Sequence, residues 1–261
     1  MNEQLQSDFD KITKTLKISE DEIQIKKIFL KKFIKSGFPN RKQEDWKFLD
    51  ISQIIKKNIS DLSFFNDYSQ PNKIDSSTFV DGLEHNKIIF VNGKIEKIDF
   101  NFEDQNKIEI TDETKRDISF DYENSLIDLN SAFTHKVFKI LVKKNYSLKK
   151  PLIIYHSTND KVKSTNVNLR LDFELGENSC LRLIDFFTDN KAKNFINIFY
   201  NFILEKDSIL KNYKIDKFRN DNLKYSFNNI EQGNNSISET FILSAGSDYL
   251  KNEINCNLNG E

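Results

Sequence analysis

Lys144-Asn145-Tyr146-Ser147-Leu148, Glu177-Asn178-Ser179-Cys180-Leu181, Lys206-Asp207-Ser208-Ile209-Leu210 and Gly233-Asn234-Asn235-Ser236-Ile237 are four versions of one turn. Their serines recur at steps of 32, 29 and 28 residues (147 to 179, 179 to 208, 208 to 236). A polar turn precedes each serine, and alternating apolar residues follow it: Leu181, Ile184 and Phe186 in one copy, Leu210, Tyr213 and Ile215 in the next. That alternation predicts strands. A repeat of this length built from strands and Gly/Asn/Asp/Ser turns predicts a right-handed parallel β-helix rather than a helical array. Stacked coils about 4.8 Å apart pair every backbone group with the coils above and below.

The pattern divides the chain into an N-terminal helical and α+β region, residues 1–135, and a β-helix core, residues 136–261, incomplete at its C-terminal end. The last residues, Ile254 to Glu261, read as a strand and the start of another turn, since a further serine-like position is due just past Glu261. An uncapped coil offers strand edges and apolar surface. A partner or further chain is therefore expected over that end, and the 261 residues alone are expected to aggregate.

Lys+Arg 39 against Asp+Glu 40 leaves a net charge of −1, so no global field draws the protein to nucleic acid or to an anionic membrane. With 7 Gly, 3 Pro and 23 well-spread Phe, the chain is not low-complexity. The N-terminus has neither a basic start nor an apolar core, and no run of about 18 apolar residues occurs. Cys180 and Cys256 are too far apart in sequence to suggest a disulfide framework, which fits a reducing compartment. A soluble cytoplasmic protein is expected.

In chain order, Leu5, Phe9, Ile12 and Leu16 form the stripe of an amphipathic helix. Ser19, with Glu22 three residues on, caps a second helix whose face carries Ile25, Phe29 and Phe33 beside Ile28 and Leu30, and which ends at Gly37 and Pro39. Trp46 and Phe48 are expected to anchor a turn on this layer, with Glu44 and Asp45 capping or pairing nearby. Phe64 to Asn86, with Pro71, reads as a linker or surface loop. Ile88 to Val91, Asn92-Gly93, and Lys94 to Ile98 predict a hairpin. Tyr122 to Thr134 reads as a short helix with Leu126, Leu129 and Phe133 on one face, and Val137 to Val142 as the first solenoid strand.

Several of these segments resemble a known family. Gly37-Phe38-Pro39-Asn40-Arg41 followed by Glu44-Asp45-Trp46-Lys47-Phe48 is similar to the N-terminal signature of the SufB/SufD family, the paired β-helix subunits of the SUF iron–sulfur cluster assembly system. Ile88-Ile89-Phe90-Val91-Asn92-Gly93-Lys94, Leu129-Asn130-Ser131-Ala132-Phe133 and Asn252-Glu253-Ile254-Asn255-Cys256-Asn257-Leu258-Asn259-Gly260-Glu261 resemble further family segments in the same order. The short region before the solenoid and the lack of an N-terminal cysteine motif fit the SufD branch. The resemblance implies a subunit that pairs with SufB through β-helix ends and binds the ATPase SufC through C-terminal helices, in a complex on which an iron–sulfur cluster is transiently assembled. It also implies that the histidine associated with cluster formation in the SufD branch lies in later coils, beyond these residues.

Catalytic signals are sparse. His85, His135 and His156 have no Cys, Asp or Glu at metal-ligand spacing, and no Cys-x-x-Cys, phosphate loop or His-Glu-x-x-His occurs. The histidines are expected to be surface or locally hydrogen-bonded residues. A thiolate would suit iron or persulfide sulfur, yet Cys180 and Cys256 occupy strand positions where small apolar residues pack inside a coil, and buried free Cys behaves as a small hydrophobe. No residue is assigned a catalytic or metal-ligating role, and the chain itself is expected to hold no cofactor. The reading is a non-enzymatic scaffold subunit of the SUF complex. The alternative is a β-helix enzyme acting on polysaccharide, which wants charged residues at matching positions of successive coils; Arg182, Lys211 and Glu239 after the aligned turns do not match in type.

Overall fold

The computed structural model describes residues 2–16, 18–59, 61–67, 73–113, 123–159, 162–187, 193–217, 223–246 and 249–260. Its helical layer follows the apolar stripes. α1 (Asn2–Thr15) buries Leu5, Phe9 and Ile12. α2 (Glu20–Ser36) begins where Ser19 Oγ accepts the Glu22 N–H at 3.3 Å and ends at Gly37, whose φ of 67° only a residue without Cβ adopts freely. Its apolar face is narrower than expected: Phe29, Leu30 and Phe33 are buried, but Ile28 points outward. α3 (Ile51–Asn58) is capped by Asp50. α4 (Ser125–Phe133) starts from an Asn124 cap, later than the expected Tyr122, which lies outside the described residues. All of α4 is buried, because α1 and α2 pack on one side of it and the solenoid on the other.

Twelve strands follow: β1 (Asn86–Val91), β2 (Lys94–Asp99), β3 (Ile108–Glu113), β4 (Val137–Val142), β5 (Leu152–Ser157), β6 (Asn166–Leu175), β7 (Cys180–Phe187), β8 (Phe195–Leu204), β9 (Ile209–Lys217), β10 (Leu223–Gln232), β11 (Ile237–Ala245) and β12 (Tyr249–Leu258). They form two six-stranded sheets, β11-β9-β7-β5-β1-β2 and β12-β10-β8-β6-β4-β3. Each coil gives one strand to each sheet, and the result is a β-solenoid of about 4 turns preceded by the helical region. Pairing is parallel throughout except at one end, where β2 and β3 close the two sheets with antiparallel pairs. Asn92 and Gly93 make the β1–β2 turn at φ 55° and 78°. The sheets therefore begin before residue 136: β1 pairs in parallel with β5, and β3 antiparallel with β4, so the strands within residues 86–113 belong to the sheets of the solenoid.

The turns stack by a different residue from the serine. Asn145, Asn178, Asp207 and Asn235 all adopt φ between 55° and 58°, the left-handed conformation that Asn and Asp tolerate. Register pairs Ser147 with Cys180, Cys180 with Ile209 and Ile209 with Ile237. Ser179, Ser208 and Ser236 thus align, whereas Tyr146 holds that place in the first turn. Successive turns bond through the Asn145 N–H to Glu177 O, Asn178 N–H to Lys206 O and Asp207 N–H to Asn234 O, at 2.8 to 2.9 Å. They lie so close that a Cβ on Gly176 would sit 2.6 Å from the Lys144 nitrogen.

Between the sheets, the first coils are filled by Ile154, Leu171, Leu183, Ile198 and Phe202. The outer face of the β4–β12 sheet is covered by the helices, through Phe195, Phe199, Leu223 and Tyr225. Ile153 and Tyr155, on the outer face of the other sheet, lie under Phe79, whose ring is 4.5 Å from Tyr155. The stretch from Phe64 to Asn86 therefore packs at both ends, with Phe64 itself buried; residues 68–72, Pro71 among them, lie outside the described residues. Toward β11 and β12 the inward positions become mixed: Ser226, Asn228, Ser238, Thr240, Ser244 and Asn252 share them with Ile230, Ile242, Ile254 and Cys256. Part of the apolar surface expected at that end is present, with Ile254 48% and Leu258 77% exposed.

Candidate functional site

The alternation along β7 and β9 decides what lies inside. In β7, Leu181, Leu183, Asp185 and Phe187 are buried while the residues between them face outward; in β9 the buried set is Leu210, Asn212, Lys214 and Asp216. Ile184, Phe186, Tyr213 and Ile215, expected to carry the apolar alternation, stand on the outer face, because the inward set is shared with charged groups. Parallel register stacks these groups into columns. One runs Ile154, Asp185, Lys214; its neighbour runs His156, Phe187, Asp216.

The result is a sealed ionic cluster. His156 Nε2 is 2.7 Å from Asp185 Oδ1, the Tyr200 hydroxyl donates to Asp185 Oδ2 at 2.5 Å, and Lys214 Nζ donates to the same oxygen at 3.3 Å. Lys224 Nζ donates to Asp216 Oδ1 at 2.5 Å, and Ser244 Oγ lies 3.4 Å from Asp216 Oδ2. Aromatic faces complete the solvation: Lys214 sits 3.5 Å above the Tyr200 ring, Lys224 3.5 Å above Phe187, and the His156 ring stacks on Phe187 at 4.3 Å. Asp185, Lys214 and Lys224 are 0% exposed and His156 5%. Burying each ion costs several kcal/mol. With His156 neutral, two carboxylates and two ammonium groups balance, and each has its opposite.

Titration behaviour follows from this packing. Burial pulls the His156 pKa below the usual histidine value, with Asp185 opposing. Burial alone would raise Asp185, but Lys214, His156 and Lys224 together hold it far below the usual carboxylate range. Lys214 is pulled down to about 8 by burial, against Asp185. Burial and the Asp185 charge push the Tyr200 phenol well above its ordinary value.

A His–Asp pair with a lysine of lowered pKa has the composition of an acid–base site. Access decides otherwise: the adjoining cavity, lined by Phe90, His156, Thr158, Phe187 and Ile198, measures about 20 Å³. That is room for one water and no substrate. The cluster locks successive coils in register.

The other singled-out residues are dispersed. His85 bonds Leu83 O at 2.6 Å and the Tyr155 hydroxyl at 2.9 Å, the local bonding expected of it. His135 lines a cleft at the antiparallel end. Cys180 is half-buried on the outward side of β7, not inside the coil; Cys256 does hold an inward register position, beside the core residue Ile230, but on the outermost strand β12 it is exposed, with Sγ 3.0 Å from Gln232 Oε1. Trp46 is buried against Tyr225, under Lys251 Nζ at 3.9 Å from its ring, and Lys251 also donates to Asp45 O at 2.7 Å. Phe48, expected to share that anchor, is 84% exposed, because the 3-10 turn at Glu44–Trp46 directs only the tryptophan inward. Arg182, Lys211 and Glu239 do stack in register, Lys211 and Glu239 forming a 3.1 Å ion pair on the outer face.

The cluster had a sequence signal. His156, Asp185 and Lys214 follow at steps of 29 residues; the second step equals the register step from β7 to β9, and the first falls two short of the 31-residue step from β5 to β7. No group of three or more His, Cys, Asp or Glu able to hold a metal occurs among the described residues, and no described helix is long and apolar enough to cross a membrane. No family model matches the chain, and no curated protein matches it.

Proposed function

We propose that the chain is a non-enzymatic scaffold subunit of the SUF iron–sulfur assembly complex, of the SufD branch, pairing with SufB and the ATPase SufC. The observation that carries the reading is the sealing of the one acid–base constellation among the described residues: His156, Asp185 and Lys214 stabilise coils and reach no substrate. A polysaccharide-cleaving enzyme needs carboxylates that flank an open groove, which these do not. Three of the four segments that resemble the SufB/SufD family sit at joints. Trp46 seats the helical turn on Tyr225, Asn92-Gly93 makes the closing hairpin, and Asn130 Nδ2 donates to Leu169 O and Asn197 O at 3.0 and 2.8 Å, fixing α4 to the sheet. Such residues serve a rigid platform, and a cluster assembled on it would be cargo. Cells lacking the full-length protein should load iron–sulfur enzymes poorly while keeping normal polysaccharide turnover; unimpaired loading would overturn the reading.

A further inference from the structure

The antiparallel end of the solenoid carries a cleft that the proposed scaffold role does not use. β2 and β3 are the outermost strands of the two sheets, and the gap between them is a cleft of about 640 Å³, within the range of small-molecule sites. Its floor is the solenoid core reaching the surface: Ile95 and Ile110 pack on the core cluster, Phe138 belongs to it, and Ile98 stands 47% exposed beside them. A register shift between Ile89 and Phe90 in β1 pairs Phe90 with Ile95 and Ile88 with Ile98, which places both β2 isoleucines on the inward side.

The rim is basic. Lys136 is paired with Asp112, so that couple is neutral. Lys94 remains, half-buried, its ammonium without a hydrogen bond or ion pair among the described residues. His135 beside it is held down to about 4, by burial first and then by Lys136, Lys26 and Lys94, so at neutral pH it is an uncharged imidazole in a positive field. One uncompensated cation over an apolar floor matches a ligand with one negative charge and an apolar tail. A phosphate dianion would leave charge unmet and the floor wet.

We propose that this cleft binds a small amphipathic monoanion of the medium-chain carboxylate class, its head on Lys94 and its chain along Ile95, Ile98, Ile110 and Phe138. Titration calorimetry of the full chain with decanoate, hexanoate and decanol tests it. Decanoate is expected to saturate at one per chain below its micellar concentration, and hexanoate to bind at least tenfold more weakly. Lys94→Met should weaken decanoate about tenfold, about 1.4 kcal/mol, and leave decanol unchanged, whereas Ile98→Ser should weaken both. Both positions are solvent-accessible, and unchanged thermal unfolding would show the variants folded. Absence of saturable binding, or equal affinity of Lys94→Met for decanoate, overturns the proposal. A concentration-dependent dimer abolished by Ile98→Ser, without decanoate binding, would assign the cleft to a second copy of the chain and overturn it equally.

Discussion

His156 and Asp185 lie 29 residues apart in sequence and 2.7 Å apart in space, on neighbouring strands of one sheet, inside a solenoid that excludes solvent from both. The pair bridges two adjacent columns, His156 standing in line with Phe187 and Asp216 and Asp185 in line with Ile154 and Lys214, so complementary groups on successive coils solvate one another. Asp185 then binds Lys214, again one coil on.

Removing one member of the cluster should be costly. Asp185→Ala leaves the Lys214 ammonium buried without its carboxylate and is expected to lower unfolding free energy by about 3–5 kcal/mol. The double variant Asp185→Leu with Lys214→Met should recover most of that loss. Urea unfolding checks both, and additive losses would contradict the pairing.

Stability should fall with acid. In the unfolded chain His156 and His135 gain protons below about pH 6.5, whereas in the fold both stay neutral further down, His135 to about 4. The unfolded state then binds more protons across that window, so stability declines as pH drops through it. Asp185, with its depressed folded pKa, contributes stability above its unfolded value that is lost as the pH falls further. Lys214, lowered to about 8, works in the same sense at the alkaline end, stability rising from there to about its unfolded pKa near 10.4. Urea midpoints from pH 4 to 10 read this; His156→Gln should flatten the slope between 6.5 and 4, and an unaltered slope would count against it.

The left-handed turn column predicts a residue preference. Asn178→Ala, at φ 55°, should cost about 1–2 kcal/mol while Asn178→Gly stays near neutral. Gly176→Ala should cost about 1–3 kcal/mol, for the different reason that its Cβ meets the Lys144 backbone. Thermal unfolding of the three variants separates conformational strain from overpacking; an Ala as good as Gly at 178 would refute the first.

Trp46 is the single tryptophan and reports the joint between helices and solenoid. Its emission should be blue-shifted in the folded chain and move red on unfolding. Trp46→Ala should cost about 3–5 kcal/mol, and Phe48→Ala almost nothing. Equal costs would mean that the turn is seated otherwise.

The solenoid, the helix caps and the Asn92-Gly93 hairpin were legible because each rests on a local signal: a period, a capping side chain, a positive-φ pair. The inward face of β7 and β9 was not. There Asp185, Asn212, Lys214 and Asp216 point in while Ile184, Phe186, Tyr213 and Ile215 point out, so hydrophobic alternation reads with inverted parity. Only the strand register, a long-range property, tells the faces apart. For the same reason the turn column was read one residue off at Ser147, where Tyr146 stands in the serine's place and Asn145 holds the common left-handed backbone. Phe48 failed as an anchor because a 3-10 turn of three residues presents one side chain inward, and Trp46 takes it.

The scaffold reading is tested most directly by size-exclusion chromatography with light scattering on the full-length protein mixed with SufB and SufC. The account predicts a single peak whose mass is that of a complex containing all three subunits. Three separate peaks, each at the mass of its own component at micromolar concentration, would contradict it.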